Sequence, residues 1–320
     1  MTSLLEQLAN ISVVVADTGD IDAIKTFAPQ DATTNPSLIL KAFQSGHYDA
    51  LIESVVRLAQ DQQGTLTDRI DRAGDYLIVA MGNMILQHIP GRISTEVNAS
   101  LSFDRDASIE KARQLIALYE AEGVPRHRVL IKLAATWEGI KAAEVLEQEG
   151  IQCNLTLIFN FAQARACAEA GVYLISPFVG RILDWHRKNA PDVAYANADE
   201  PGVKSVAAIQ QYFRARQYQT VVMGASFRHT GQILALAGCD RLTISPGLLE
   251  ELQQTPGTIS RQLPAAAAAQ PRPEPMTEQA FRWALNEDAM ATEKLAEGIR
   301  GFAADQRKLD ALLAERLQPK

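Results

Sequence analysis

Short apolar, β-branched runs alternate along most of this chain with longer segments whose apolar positions recur at helical spacing. The runs predict strands at 12–16, 32–35, 93–97, 129–135, 153–159, 173–179, 220–225 and 241–245. Between them, helical periodicity covers 36–58, 108–122, 139–149, 161–170, 203–216 and 230–236. Asn35 followed by Pro36 reads as a helix cap before a proline at the first helical position. Gly123, Gly150, Gly171 and Gly238 sit just past helix ends. Eight strands alternating with helices imply a parallel sheet, and eight strands are enough to close a barrel. An open doubly wound sheet is the runner-up. It would lead one to expect a Gly-x-Gly-x-x-Gly turn after an early strand, and none is present. The expected fold is therefore an α/β (β/α)8 barrel with added C-terminal helices.

Two regions fall outside the repeat. Residues 61–75 are polar and predict a helical insert or loop before the third strand. Residues 263–276 form an Ala/Pro tract that reads as an extended, semi-rigid connector. It separates a barrel at 11–262 from an amphipathic helical tail at 277–317, and the tail should dock on the barrel or on another subunit.

At 320 residues, with 47% hydrophobic and 22% charged positions, the chain can bury one large core as a single barrel domain. A net charge of −7 argues against nucleic acid or an anionic membrane as partner. A phosphate-bearing ligand must then be held by a few local arginines. Three cysteines with no close pairing fit a reducing cytosol. There is no basic, apolar leader at Met1 and no apolar run long enough for a membrane span. The expectation is a soluble cytoplasmic protein.

Chemistry in such a barrel belongs at the C-terminal strand ends. Lys132 lies in Val129-Leu-Ile-Lys-Leu-Ala-Ala-Thr136, an otherwise apolar strand. Desolvation penalises a buried ammonium, and a neutral lysine amine is the usual partner of a carbonyl in a Schiff base. The plainer alternative is a lysine whose stem threads the core to a carboxylate at the rim. Glu96, inside Ser94-Thr-Glu96, supplies that carboxylate or a proton-handling one, because an unpaired acid there would be costly. Asp17, ahead of Thr18-Gly19, is a cap or a base.

Polar residues recur at i and i+2, which is one face of a strand: Thr33/Asn35, Ser94/Glu96, Asn154/Thr156, Ser226/Arg228 and Thr243/Ser245, with Ser176 and Phe178 spaced alike on the sixth strand. A barrel interior is normally branched and apolar, so polar pairs on several strands point to a ligand-binding mouth. Arg181 and Arg228 are candidates for a phosphate clamp, since guanidinium binds phosphate in bidentate fashion. The five histidines are scattered, with no His-x-x-x-His and no Cys-x-x-Cys, so no metal site is expected.

These strand ends resemble one family, the transaldolases. Asp31-Ala-Thr-Thr-Asn-Pro-Ser-Leu-Ile39 is similar to that family's strand-two signature, and Ile131-Lys-Leu-Ala-Ala-Thr-Trp-Glu-Gly-Ile140 to the signature around its Schiff-base lysine. Val15–Gly19, Gly91–Val97, Cys153–Thr156, Ser176–Arg181 and Met223–Arg228 resemble it in order and spacing. The resemblance implies transfer of a dihydroxyacetone unit from sedoheptulose 7-phosphate or fructose 6-phosphate to glyceraldehyde 3-phosphate or erythrose 4-phosphate. That reaction belongs to the non-oxidative pentose phosphate pathway.

Carried over, the resemblance makes Lys132 the imine former and Asp17 the base on the C4 hydroxyl. Glu96 and Thr156 hold a proton-shuttling water. Asn35, Asn154 and Ser176 bind the dihydroxyacetone hydroxyls beside Thr33, and Arg181, Ser226 and Arg228 hold the phosphate. No cofactor is implied, and a homodimer is. The alternative is a lysine aldolase that releases free dihydroxyacetone. Related fructose 6-phosphate aldolases place a tyrosine where this chain has Phe178, which favours transfer. A non-enzymatic sugar-phosphate binder would have no use for Lys132 with two carboxylates.

Overall fold

The computed structural model describes residues 2–318. Eight parallel strands close into a barrel in sequence order: β1 Val13–Asp17, β2 Asp31–Thr33, β3 Ile93–Glu96, β4 Val129–Ala134, β5 Cys153–Ile158, β6 Leu174–Pro177, β7 Val221–Gly224 and β8 Arg241–Ile244. Helices pack around it, so the expected (β/α)8 architecture is present. Most strands are a residue or two shorter than the hydrophobic runs suggest, because the chain leaves the sheet while still apolar. One difference matters to the site. Asn35 lies beyond β2 and caps the helix Pro36–Gln44, its side chain accepting from the Leu38 N–H at 3.0 Å.

The apolar interior of the barrel is plugged by Val15, Leu130, Leu174 and Met223. Two residues further along the same strands stand Asp17, Lys132, Ser176 and Ala225. A two-residue step keeps the face and rises about 6–7 Å. The polar layer is therefore stacked directly on a dry floor. Register completes it: Asp17 is opposite Thr33, Glu96 opposite Lys132, and Lys132 opposite Asn154.

Several outer elements differ from expectation. The segment 36–58 is two helices, Pro36–Gln44 and Asp49–Gln60, parted at Gly46, whose φ of 75° no helix accommodates. The polar stretch 61–75 opens the long helix Leu66–Leu86. Thr65 and Asp68 form a capping box there, a start signal that polarity obscured. The helix Gly180–Asn189 was not predicted; its run of Asp, Trp, His, Arg and Lys hides the apolar period. Gly123, Gly150, Gly171 and Gly238 all have positive φ, as their place after helix ends requires.

The Ala/Pro connector has no regular structure and is pinned to the barrel. Gln270 N–H donates to Ala215 O at 2.8 Å, and Arg272 donates to Arg216 O and Gln217 O while lying 4.2 Å over the Tyr218 ring. The tail is two helices, Glu278–Glu287 and Ala289–Leu317, and it docks on its own barrel. Leu295, Ile299 and Phe302 pack with Leu157, Phe159 and Phe178 at the barrel mouth. A bulge in β5 leaves Leu157 with φ 56°, and it meets the tail at Gly298, where an added Cβ would lie 2.7 Å from Leu157 Cδ2. A larger residue there would have to push the Leu157 side chain aside. Among the described residues no helix is long and apolar enough to cross a membrane.

Candidate active site

A cavity of about 200 Å³ opens at the C-terminal end of the barrel. Asp17, Thr33, Asn35, Lys132, Thr156, Ser176, Phe178, Arg181, Ser226 and Arg228 all reach its wall. Glu96 and Asn154 stand behind that wall. Ser94 donates nothing to the cavity either; it accepts from Asn154 Nδ2 at 3.0 Å. Asn154 in turn accepts from Ser176 Oγ at 2.6 Å and is wholly buried. Among these groups Ser176 is the one presented to a ligand, and Asn154 fixes it from below.

Lys132 is 5% exposed, and its Nζ lies 3.1 Å from Glu96 Oε2 and donates to Thr34 O at 3.2 Å. The ion pair that the sequence allowed as the plainer reading therefore exists. It does not exclude chemistry, because Lys132 still faces the cavity. Burial raises the Glu96 carboxyl above its ordinary pKa, against the pull of the lysine and Arg181 charges and with the push of Asp17. A carboxylate so placed can take a proton from the amine beside it. Asp17 is raised for the same first reason, desolvation, offset by the Lys132 charge and by a 2.9 Å hydrogen bond from Thr33 Oγ1. Thr33 is itself held by Thr243 at 2.7 Å. Thr156 Oγ1 is buried on the cavity wall with no protein partner, so its hydroxyl is free for a ligand.

The opposite side of the mouth carries positive charge. The Arg181 guanidinium lies 5.0 Å over the Phe178 ring and 5.5 Å over that of Phe302. Burial lowers its pKa first, and the Arg228 charge lowers it further. Two guanidiniums that repel each other across a cavity favour an anion between them. Arg228 is oriented by Asp184, with Nη2 to Oδ2 at 2.7 Å and Nε to both oxygens. Ser226, whose Oγ accepts from Arg228 Nη1 at 3.4 Å, has φ 60°, a left-handed backbone that strains a serine. Gly180 stabilises that turn: its N–H donates to Ser226 O at 2.7 Å, and a Cβ on it would meet the same oxygen at 2.3 Å.

Thr243, Ser245, Ala225, Phe227 and Phe302 also line the cavity. Thr243 and Ser245 sat in the pattern of alternating polar residues without being assigned a role. Phe302 gave no such signal, since on an amphipathic helix it reads only as core.

A buried lysine and two acids at the top of an eight-stranded barrel, opposite paired arginines, are the groups that carbonyl chemistry through a lysine amine would use. The model of the transaldolase/fructose-6-phosphate aldolase family matches residues 14–313. Over 317 residues the chain is 59% identical to a transaldolase of Methylobacillus flagellatus, covering 99% of this chain and 100% of that protein. A transaldolase of a Marinomonas species is 60% identical over 317 residues, with 99% and 100% covered. Transaldolase 1 of Pectobacterium atrosepticum is 58% identical over 313 residues, with 98% and 99% covered. The chain belongs to the transaldolase/fructose-6-phosphate aldolase family.

Proposed function

We propose that the chain is a transaldolase, moving a dihydroxyacetone unit from sedoheptulose 7-phosphate or fructose 6-phosphate to glyceraldehyde 3-phosphate or erythrose 4-phosphate. The observation that carries this reading is Lys132 on the cavity wall, buried and backed at 3.1 Å by Glu96, with Asp17 in the same polar layer.

The Lys132 amine attacks the donor C2 carbonyl, and loss of water leaves a protonated imine. Glu96 takes and returns the protons of that step, with Thr156 helping to hold the water involved. Asp17 removes the C4 hydroxyl proton as the C3–C4 bond breaks. The bond's electron pair goes to C3 and into the imine, which becomes an enamine, and the aldose leaves. In the second half C3 attacks the acceptor aldehyde carbon, Asp17 returns its proton to the new hydroxyl, and water hydrolyses the product imine to free the new ketose and the Lys132 amine. Asn35 and Ser176 meet the dihydroxyacetone hydroxyls, Asn154 supports Ser176, and Thr33 tunes Asp17. Arg181, Ser226 and Arg228 hold the phosphate.

Phe178 favours transfer over release. Its ring leaves no phenol at that point of the mouth to protonate the enamine before an acceptor arrives. The alternative is an aldolase that releases dihydroxyacetone. Neither half-reaction requires a cofactor or a metal. A homodimer working in the cytoplasm, on the non-oxidative pentose phosphate pathway, completes the proposal. The barrel, connector and tail act as one domain, since the tail supplies Phe302 to the mouth.

Borohydride reduction in the presence of fructose 6-phosphate tests the imine. Intact mass should rise by one reduced dihydroxyacetone unit, mapped to the peptide holding Lys132, and Lys132→Ala should take up none. An adduct on another lysine would overturn the assignment.

A further inference from the structure

Glu200 is 1% exposed, directly before Pro201 at the start of the helix Pro201–Ala215. A buried carboxylate is costly unless its oxygens are fully used. Those of Glu200 are used on one short segment. Oε2 accepts from Gln232 Nε2 at 2.6 Å, and Oε1 pairs with His229 Nε2 at 2.9 Å. Arg187 approaches Oε1 only to 3.9 Å, from a half-exposed position. Gln232 is wholly buried, and its Oε1 accepts from the backbone N–H of Arg228 at 2.8 Å.

The direction of that amide follows from chemistry. An ionised carboxylate only accepts, so the Gln232 NH₂ must face Glu200, and the Gln232 oxygen must face Arg228. A neutral apolar residue at position 200 would let the amide turn over and set its NH₂ against the Arg228 N–H. A plain structural staple between the two helices would not need this polarity. Apolar side chains of the same volume would join them at least as well. What they could not do is fix the backbone of the residue that follows the strained Ser226 and the buried Phe227.

We propose that Glu200 and Gln232 are positioning residues for Arg228, setting its main chain while Asp184 aligns its guanidinium. This rests on the reading of Arg228 as a phosphate-binding residue. Neither Glu200 nor Gln232 touches the cavity. Their effect therefore falls on recognition of the phosphate and not on the imine.

Gln232→Glu sets two carboxylates together and removes the ordered donor. Glu200→Gln with Gln232→Glu restores the order, because the new amide donates to the new carboxylate, whose other oxygen accepts from Arg228. The single variant should raise KM for fructose 6-phosphate by about tenfold or more with kcat little changed, and leave kcat/KM for fructose unaltered. The double variant should recover most of that loss. If Gln232→Glu does not fold, Gln232→Met is read in the same way. Equal losses on both sugars, an unchanged KM, or a double variant no better than the single would each overturn the proposal. Arg228→Ala on the same two sugars separates the two ideas. If it penalises both equally, the phosphate reading itself fails; if it discriminates and Gln232→Glu does not, only the positioning role fails.

Discussion

The two sides of the barrel mouth solve opposite electrostatic problems. On the lysine side, formed by β1 to β5, every functional group is carried by a strand or its end and is mostly buried. There Lys132 and Glu96 sit at 6% and 4% side-chain exposure. On the phosphate side, after β6 and β7, Arg228 and Asp184 are 38% and 42% exposed and sit on a loop and a helix. In the proposed mechanism the first side withholds water from an imine and an enamine, so rigidity and desolvation serve it. In the same proposal the second exchanges a hydrated anion at each turnover, and a half-exposed guanidinium already oriented by a carboxylate releases it more readily. Damage on the first side should therefore fall on turnover, and damage on the second on substrate selection.

The largest effect after loss of Lys132 belongs to Asp17. Asp17→Asn should lower kcat by about 10²- to 10⁴-fold, the range for removing a general base, while borohydride trapping of the donor persists. Near-normal turnover would reduce Asp17 to a structural partner of Thr33 and move the base to Glu96; the helix that follows β1 is capped by Asp20. On the other side, Arg228→Ala should lower kcat/KM for fructose 6-phosphate by roughly 10- to 100-fold, as expected for one charge-assisted hydrogen bond. Fructose should be almost untouched. Equal losses would erase the contrast between the two sides.

That contrast was partly legible in the sequence. Lys132, Glu96 and Asn154 stood out because each interrupts an apolar strand, and period-two alternation put them on one face. The parallel register then brought Glu96, Lys132 and Asn154 side by side, as the strand pattern implied. Depth within the barrel was not legible. Alternation does not say whether an inward residue meets ligand or supports one that does, so Asn154 and Ser176 looked equivalent. The phosphate side was harder still. Asp184, Glu200 and Gln232 lie on a helix and helix ends whose charged composition resembles a solvated face, and only tertiary packing turns Asp184 and Gln232 towards Arg228 and Glu200 towards Gln232. Phe302 was invisible for the opposite reason, being one more apolar position in an amphipathic tail.

Phe178 lies on the border between the two sides, buried against Phe159 and under the Arg181 guanidinium. Phe178→Tyr should raise acceptor-free release of dihydroxyacetone relative to three-carbon transfer. A phenol at the cavity wall can protonate the enamine directly or through a water. An unchanged ratio in a folded variant would show that the ring only packs the mouth.

The smallest effect tests how the dry side sets its own protons. Burial raises Asp17, and the Thr33 hydrogen bond pulls it back. The base works ionised, so activity is complete above the raised pKa and is lost as pH falls through it. The acid limb of kcat should therefore lie above the ordinary aspartate value of about 3.9. Thr33→Val removes the donor and keeps the shape, leaving desolvation less opposed, and the limb should move to higher pH. Glu96 is raised as well, so the limb belongs to both carboxylates together, and the direction of movement is what identifies Thr33's share. Rates well above the limb should change little, because Asp17 is ionised there in both proteins. A limb that stays in place would mean that Thr33 serves Thr243 and the barrel wall, not the base. A limb that moves to lower pH would mean that the hydroxyl favours the protonated acid, with Thr33 opposing the base instead of assisting it.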